Sequence, residues 1–438
     1  MRKKSVFSVL LVVLLWFYSA QAQEIQKKVL TIDDCVNIAL KNSFPARSAQ
    51  ENYQSARWNF LGGFSGLLPS IDFSSSWSRR GQHTVSTDFY GQKVDQTSPS
   101  VDQYSFNFSL TQPVFNGGAN LANYNLKRYG KRSAWDDLKL AEKSVALNVK
   151  QGCYDLLKAQ MLYDVQKDAV DVSLQQLKMA KARYDLGAAS LSDYLKAKVQ
   201  LGNDSLTLIT NENNVKLAEA TLNSLLGLDV NTPLEINARL EYTKLDADVE
   251  QETRKALESH PQIDKARMGV NQAHSGLTVA RSANYPDISF GWGYNWNNVR
   301  FPESINDWKK YVYWDMGINV RLNLFGGFLT TSQVRSAKAQ VRLNKDNLEQ
   351  NKRDLVLAIK QADLLVKEGE RKIQLTDDAL KSAEEDLKLT QEKYNLGAAS
   401  ILDLLNANVS YKTAKNNQVQ ALYDYNLAVA QFEKATAR

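Results

Sequence analysis

Asp33 and Asp34 are adjacent carboxylates, a residue type and spacing that could do chemistry. Such a pair can share general acid and base work when its surroundings separate the two pKa values. These two open a short helix predicted from Thr31 to Lys41, where acidic side chains are favoured by the helix dipole. His83, His260 and His274, with Cys35 and Cys153, never cluster at metal-ligand spacing. No nucleophile motif or phosphate-binding loop occurs, so neither an enzyme nor a cofactor is expected. An exported protein could pair Cys35 with Cys153. Both stand among apolar residues at helical spacing, which reads as buried thiols. Asp193 and Asp403 are different. Each stands six residues after a glycine, Gly187 or Gly397, inside a duplicated segment.

The duplication shows which elements position those two carboxylates. Arg183-Tyr184-Asp185-Leu186-Gly187-Ala188-Ala189-Ser190-Leu191-Ser192-Asp193 recurs as Lys393-Tyr394-Asn395-Leu396-Gly397-Ala398-Ala399-Ser400-Ile401-Leu402-Asp403, an offset of 403 − 193 = 210. Phe115-Asn116-Gly117 matches Phe325-Gly326-Gly327 at the same offset, and Pro69 to Phe73 matches Pro286 to Phe290. A period this long means two copies of a whole supersecondary layout rather than a solenoid. The partition is 23–226 and 253–438, with 227–252 as an equatorial linker.

A very long helix precedes each motif. In the second half Val334, Val341, Leu348, Leu355 and Ala362 follow a seven-residue period. The series then steps by four to Val366 and continues through Ile373, Leu380 and Leu387 to Tyr394. That step is a stutter, which locally relaxes a supercoil. Leu138, Val145, Gly152, Leu156, Tyr163, Val170, Leu177 and Tyr184 keep the same frame in the first half. Seventy helical residues would reach about 105 Å. Gly187 and Gly397 suit left-handed C-terminal caps. Ser190 with Asp193, and Ser400 with Asp403, suit capping boxes for the next helices. Both motifs therefore read as helix-turn-helix tips, and capping alone would account for the two aspartates.

Each half also holds two alternating stretches. Ile71, Phe73 and Trp77 alternate with polar residues, as do Tyr104, Phe106, Phe108 and Leu110. In the second half Ile288 to Trp296 alternates in the same way, as does Val312 to Leu324. Period two, about ten residues and many aromatics describe membrane barrel strands, apolar toward lipid and polar toward the lumen. On that reading Trp314, Met316, Ile318, Val320 and Leu322 face lipid, and Asn319 and Arg321 face the lumen. A soluble hairpin with one buried face is the alternative. Four strands cannot close a barrel; two copies would give eight and three would give twelve. Arg79–Asp102 and Asn297–Lys310 are predicted loops joining the strands of each pair.

The 438 residues begin with an export signal: basic Arg2, Lys3 and Lys4, the apolar run Val6 to Tyr18, and the small-x-small site Ala20-Gln21-Ala22. Removal of residues 1–22 takes away three positive charges, lowering the formal charge from +6 to +3. That balance does not suggest nucleic-acid binding. No later apolar run is long enough for a spanning helix, so membrane insertion would need a closed barrel. A secreted coiled-coil scaffold without a pore is the rival, and it leaves the aromatic strands without a purpose.

This layout resembles the TolC-like outer-membrane factor family over nearly the whole mature chain. The resemblance rests on Gln112-Pro113-Val114-Phe115-Asn116-Gly117-Gly118, on Leu322-Asn323-Leu324-Phe325-Gly326-Gly327, and on the tips Tyr184 to Leu195 and Tyr394 to Leu405. It implies a mainly helical fold: a long α-helical periplasmic barrel, and four strands per subunit entering a trimeric twelve-stranded outer-membrane barrel. It implies a passive exit duct for tripartite efflux or type I secretion in a Gram-negative cell. The implied partners are a periplasmic adaptor and an inner-membrane transporter. Adaptor contact would fall on the tips, at Tyr184, Gly187, Ala188, Ser190, Gly397, Ala398 and Ser400. Gate positions match Asp403, Asn406, Tyr394 and Asp193. Asn406 replaces a second acid, and Ala399 replaces an arginine that helps hold the closed state in the best-known member.

Overall fold

The computed structural model describes residues 28–437, so the export signal read in 1–22 lies outside the described residues. Two compact units are present. The first contains the described part of Met1–Ser48 with Ala141–Ala256 and Val356–Arg438; the second contains Ala49–Leu140 and Leu257–Leu355.

In the first unit, β1 (Lys28–Leu30) pairs parallel with β4 (Leu234–Ile236). Helix α1 (Ile32–Asn42) follows, and its N-cap is Thr31. The Asp34 carboxylate accepts from Thr31 N and Oγ1, while Thr31 Oγ1 accepts from Asp34 N. Asp33 and Asp34 thus occupy a helix N-terminus, where their charge is stabilised. The long helices are α3 (Ala119–Asp185) and α8 (Leu329–Asn395), which belong to this unit from Ala141 and Val356 onward and to the second before them, followed by α4 (Leu191–Leu226) and α9 (Ile401–Thr436). Cys35, Ala39, Val149, Cys153, Leu156 and Leu222 form the core between α1, α3 and α4. Cys35 and Cys153 are free buried thiols. Their mutual hydrogen bond, followed by burial, pushes the Cys153 thiol far up, away from reactive thiolate.

The heptad stripe of α8 is buried or half-buried at every position from Val334 to Tyr394. Its first-half counterpart is likewise covered from Leu138 to Leu177, but Tyr184 is exposed.

The second unit contains the rest of α2 (Phe44–Leu61), α6 (Pro261–Ser282) and a four-stranded antiparallel sheet. The sheet order is β2 (Ser70–Thr87), β3 (Lys93–Asn116), β5 (Asp287–Asn298) and β6 (Val312–Arg321). Helix α5 (Val249–Ser259) leads into α6, and α7 (Ile305–Lys310) joins β5 to β6.

Three expectations about the sheet need correction. Arg79–Asp102 is not a loop: most of it is paired strand, from Arg79↔Asp102 out to Thr87↔Lys93. Apolar alternation reports which face is covered, whereas a ladder needs only paired backbone groups. The real turn is Asp88–Gln92, where Asp88 Oδ1 accepts from Tyr90 N and Gln92 N and Gly91 has φ +79°. Asn297–Lys310 likewise contains the end of β5 and all of α7. Its Trp308 ring lies 5.3 Å from Trp296 and 4.9 Å from Phe106. Lastly, β6 stops at Arg321, so Leu322 and Leu324 lie beyond the strand. Arg321 pairs with Asp287, the first residue of β5, and the chain before it turns, with Tyr285 N donating to Ser282 O.

Candidate channel wall and helical tips

The register sorts the sheet into two faces, because directly paired residues share a side. One row runs Phe73, Phe108, Tyr294, Trp314; the next runs Ile71, Leu110, Trp292, Met316. Phe290 pairs with Ile318 and Ile288 with Val320 on the same side. These apolar side chains point away from the protein: Ile318 is 71% exposed and Val320 61%. The other face carries Asp72, Ser109, Gly293 and Asp315 in one row, and Ser74, Asn107, Asn295 and Tyr313 in the next. Asn295 Nδ2 donates to Asp315 Oδ1 at 2.8 Å. Arg321 and Asp287 pair across the last row of that face. An exposed apolar face backed by a polar one fits a wall with lipid on one side and water on the other.

In the first unit both tips form as tight turns. Gly187 and Gly397 have φ +72° and +78°, and Ala188 N and Ala398 N each donate to the carbonyl five residues back, at 2.8 Å. Ser190 and Ser400 cap α4 and α9, each exchanging hydrogen bonds with Asp193 or Asp403. The Asp403 carboxyl is held below the usual range, first by the Ser400 backbone N–H and then by its hydroxyl. Asp403 and Asn406 are both exposed.

The two tips differ at their tyrosines. Tyr394 is 3% exposed and Tyr184 is 40%. The Arg183 guanidinium lies 4.3 Å from the Tyr394 ring centroid. It also donates to Tyr394 O and Asn395 O at 2.7 and 3.0 Å. A cation thereby satisfies the last carbonyls of α8. Tyr184 instead stacks on Tyr194 at 6.3 Å. Sequence reasoning missed the reach of Arg183, although it stands in the repeated motif beside Tyr184.

Farther along the same hairpins, Asp204 on α4 is 3% exposed. It accepts from Ser173 Oγ at 2.5 Å, Gln200 Nε2 at 2.9 Å, Lys412 Nζ at 2.9 Å and Gln166 Nε2 at 3.3 Å. Burial pushes its pKa up, but hydrogen bonds from Lys412, Ser173 and Gln200 and the Lys412 charge outweigh that and hold it below the ordinary value. Nothing in the spacing of a lone aspartate announced this hub.

A sequence model of the family described as "Outer membrane efflux protein" matches residues 35–228 and 253–438. The chain belongs to the outer membrane efflux protein family. This efflux protein is 22% identical over 329 residues to the outer membrane protein TolC of Vibrio cholerae, covering 72% of this chain and 75% of TolC. It is 21% identical over 432 residues to the proteases secretion protein PrtF of Dickeya chrysanthemi, covering 97% and 90%. Its fold matches the CmeC outer membrane channel of Campylobacter jejuni with TM-score 0.82 at 19% identity, covering 92% and 85%. The efflux protein is accordingly an outer-membrane channel, the exit duct of an efflux or secretion system, with a long helical periplasmic portion. Its family is one of channels rather than enzymes.

Proposed function

We propose that three copies of the mature chain surround one axis, each giving β2, β3, β5 and β6 to a twelve-stranded barrel. The carrying observation is the sheet itself: β2 and β6 stand at its two ends, and its apolar face is exposed. Open edges invite pairing with another chain. The helices also offer uncovered stripes. On α8, Leu357, Leu364, Leu375 and Leu389 are exposed two residues after buried or half-buried stripe members, repeating the same stutter. On α4, Leu191, Leu195, Val199 and Leu206 are exposed along one face. Purified mature protein in mild detergent is expected at three times the chain mass; a monomer or dimer would defeat the assembly.

The duct works with a periplasmic adaptor and an inner-membrane transporter, and the adaptor meets the two tips. The apolar Leu186 and Leu396, both exposed beside the tip glycines, support that role. Glutamates placed at Ala188 and Ala398 together should abolish export while leaving the trimer intact. Normal export by that variant removes the tips from the contact.

The same tips gate the duct. Arg183 replaces, from the other repeat, the guanidinium absent at Ala399, and Asp403 faces the axis with Asn406 one turn on. Tyr394 and Asp193 belong to the closing contact. In planar-bilayer recordings Arg183→Ala should open the channel to higher conductance, with Arg183→Lys between it and the parent. Asp403→Ala should weaken block by multivalent cations. Parent-like traces from correctly assembled variants would leave these residues with capping roles only.

A further inference from the structure

Among α3, α4, α8 and α9 of the first unit lies a cavity of about 60 Å³, bordered on one side by Val165, Val172 and Leu387. Its polar end contains Gln176, Asn408, Lys412 and Lys415, with Gln200 and the Asp168 and Asp204 carboxylates in the wall. Gln176 is 2% exposed. Its Nε2 and the Asn408 Nδ2 are buried, and neither has an acceptor among the described residues. Orphaned buried donors are uncommon, because each forfeits its hydration without replacement. The nearby carboxylate cannot serve them. Asp204 already accepts four hydrogen bonds, two on each oxygen, which fills its lone-pair capacity. Lys412 and Lys415 have one carboxylate partner each, Asp204 and Asp168, and an ammonium carries three donors. The polar end therefore leaves two buried amide N–H groups without acceptors, beside two ammonium groups whose carboxylate partners fill only part of their donor capacity.

We propose that this cavity binds a small monovalent anion, a halide or a short-chain carboxylate, accepting from Gln176 Nε2 and Asn408 Nδ2 beside Lys412. The chemistry of the walls selects this class. A water molecule would bring donors of its own into a site already rich in them. A divalent oxyanion would set a second negative charge near the Asp168 and Asp204 carboxylates and would meet the aliphatic wall. A halide, or a carboxylate with one or two carbons, fits both the volume and the mixed lining. Gln176 belongs to α3 and Asn408 to α9, so the bound anion bridges the first helical hairpin to the second. It would act beside the Asp204–Lys412 pair, adding a fastener that depends on solution composition.

The test uses full-length mature protein in detergent at constant ionic strength, with sodium gluconate as the bulky reference salt. Replacing gluconate by chloride, or separately by acetate, should raise the unfolding midpoint by a few degrees, and whichever salt acts identifies the anion. Gln176→Leu should abolish the anion-dependent shift. It should unfold no earlier than the parent in gluconate, because an apolar replacement removes an orphaned donor. Asn408→Ala gives a second reading should the leucine variant fail to fold. Crystals grown in bromide should show one anomalous peak per chain between Gln176 and Asn408. Equal midpoints in all three salts would overturn the site, and so would a bromide-free cavity holding only water where chloride is the salt that acts.

Discussion

Placing arginine at Val320 should cost about 2–4 kcal/mol of stability in a bilayer, the toll of a cation on the lipid face near mid-membrane. Val320 sits on β6 opposite Ile288, within the exposed apolar face. Asn319, its neighbour, pairs with Ser289 on the polar face, and Asn319→Arg should cost a small fraction of that. Because side chains alternate, the two substitutions differ only in which side of the wall receives the charge. Folding into vesicles, titrated with guanidinium, measures both. Equal losses would mean that the register places the faces wrongly.

Removing Lys412 is expected to be at least as damaging. Lys412→Ala leaves the Asp204 carboxylate buried without its cation, a loss of about 3–5 kcal/mol for a broken buried pair. The remaining hydrogen bonds from Ser173, Gln200 and Gln166 place the value toward the lower end. Replacing both partners, as Asp204→Asn with Lys412→Met, should recover most of it, since the desolvated charge is gone. The pH dependence has a definite sign. Asp204 has a depressed pKa when folded, so its contribution is present above the unfolded value of about 3.9 and is lost as pH falls through the folded value. In Lys412→Ala the buried carboxyl protonates more readily, so the gap between parent and variant should narrow on acidification. A gap below about 1 kcal/mol, or one that widens in acid, contradicts this account.

Much of the helical framework was legible because it follows short-range rules. A stripe with one stutter, a glycine in a left-handed cap and a serine three residues before an aspartate are local signals, and α3, α4, α8 and α9 obey them. The central strands were legible for the same reason, since aromatics at every second position mark one apolar face. The polar outer parts of β2 and β3 were not, because their sequences carry no apolar alternation and only backbone pairing defines them. Helix α7 is too short for a period and is fixed by its Ser304–Asp307 box and by Trp308 packing on Trp296. Arg183 and Asp204 were illegible as sites because Arg183 reaches Tyr394 and Asp204 pairs with Lys412, each more than 200 residues away. The two thiols could have been bridged or free, and only their surroundings decided it.

Those distant partners impose an order of events. Asp204 waits for Lys412, 208 residues later, and Lys150 meets Glu433 across 283 residues. Until α9 arrives, the first helical hairpin lacks its buried counter-ion. The β2–β3 hairpin can form early, but the edge of β3 stays open until β5 pairs with it. Contacts this far apart fold slowly. The nascent protein therefore passes through a long sticky interval in water, and loss of its last helix would leave it there.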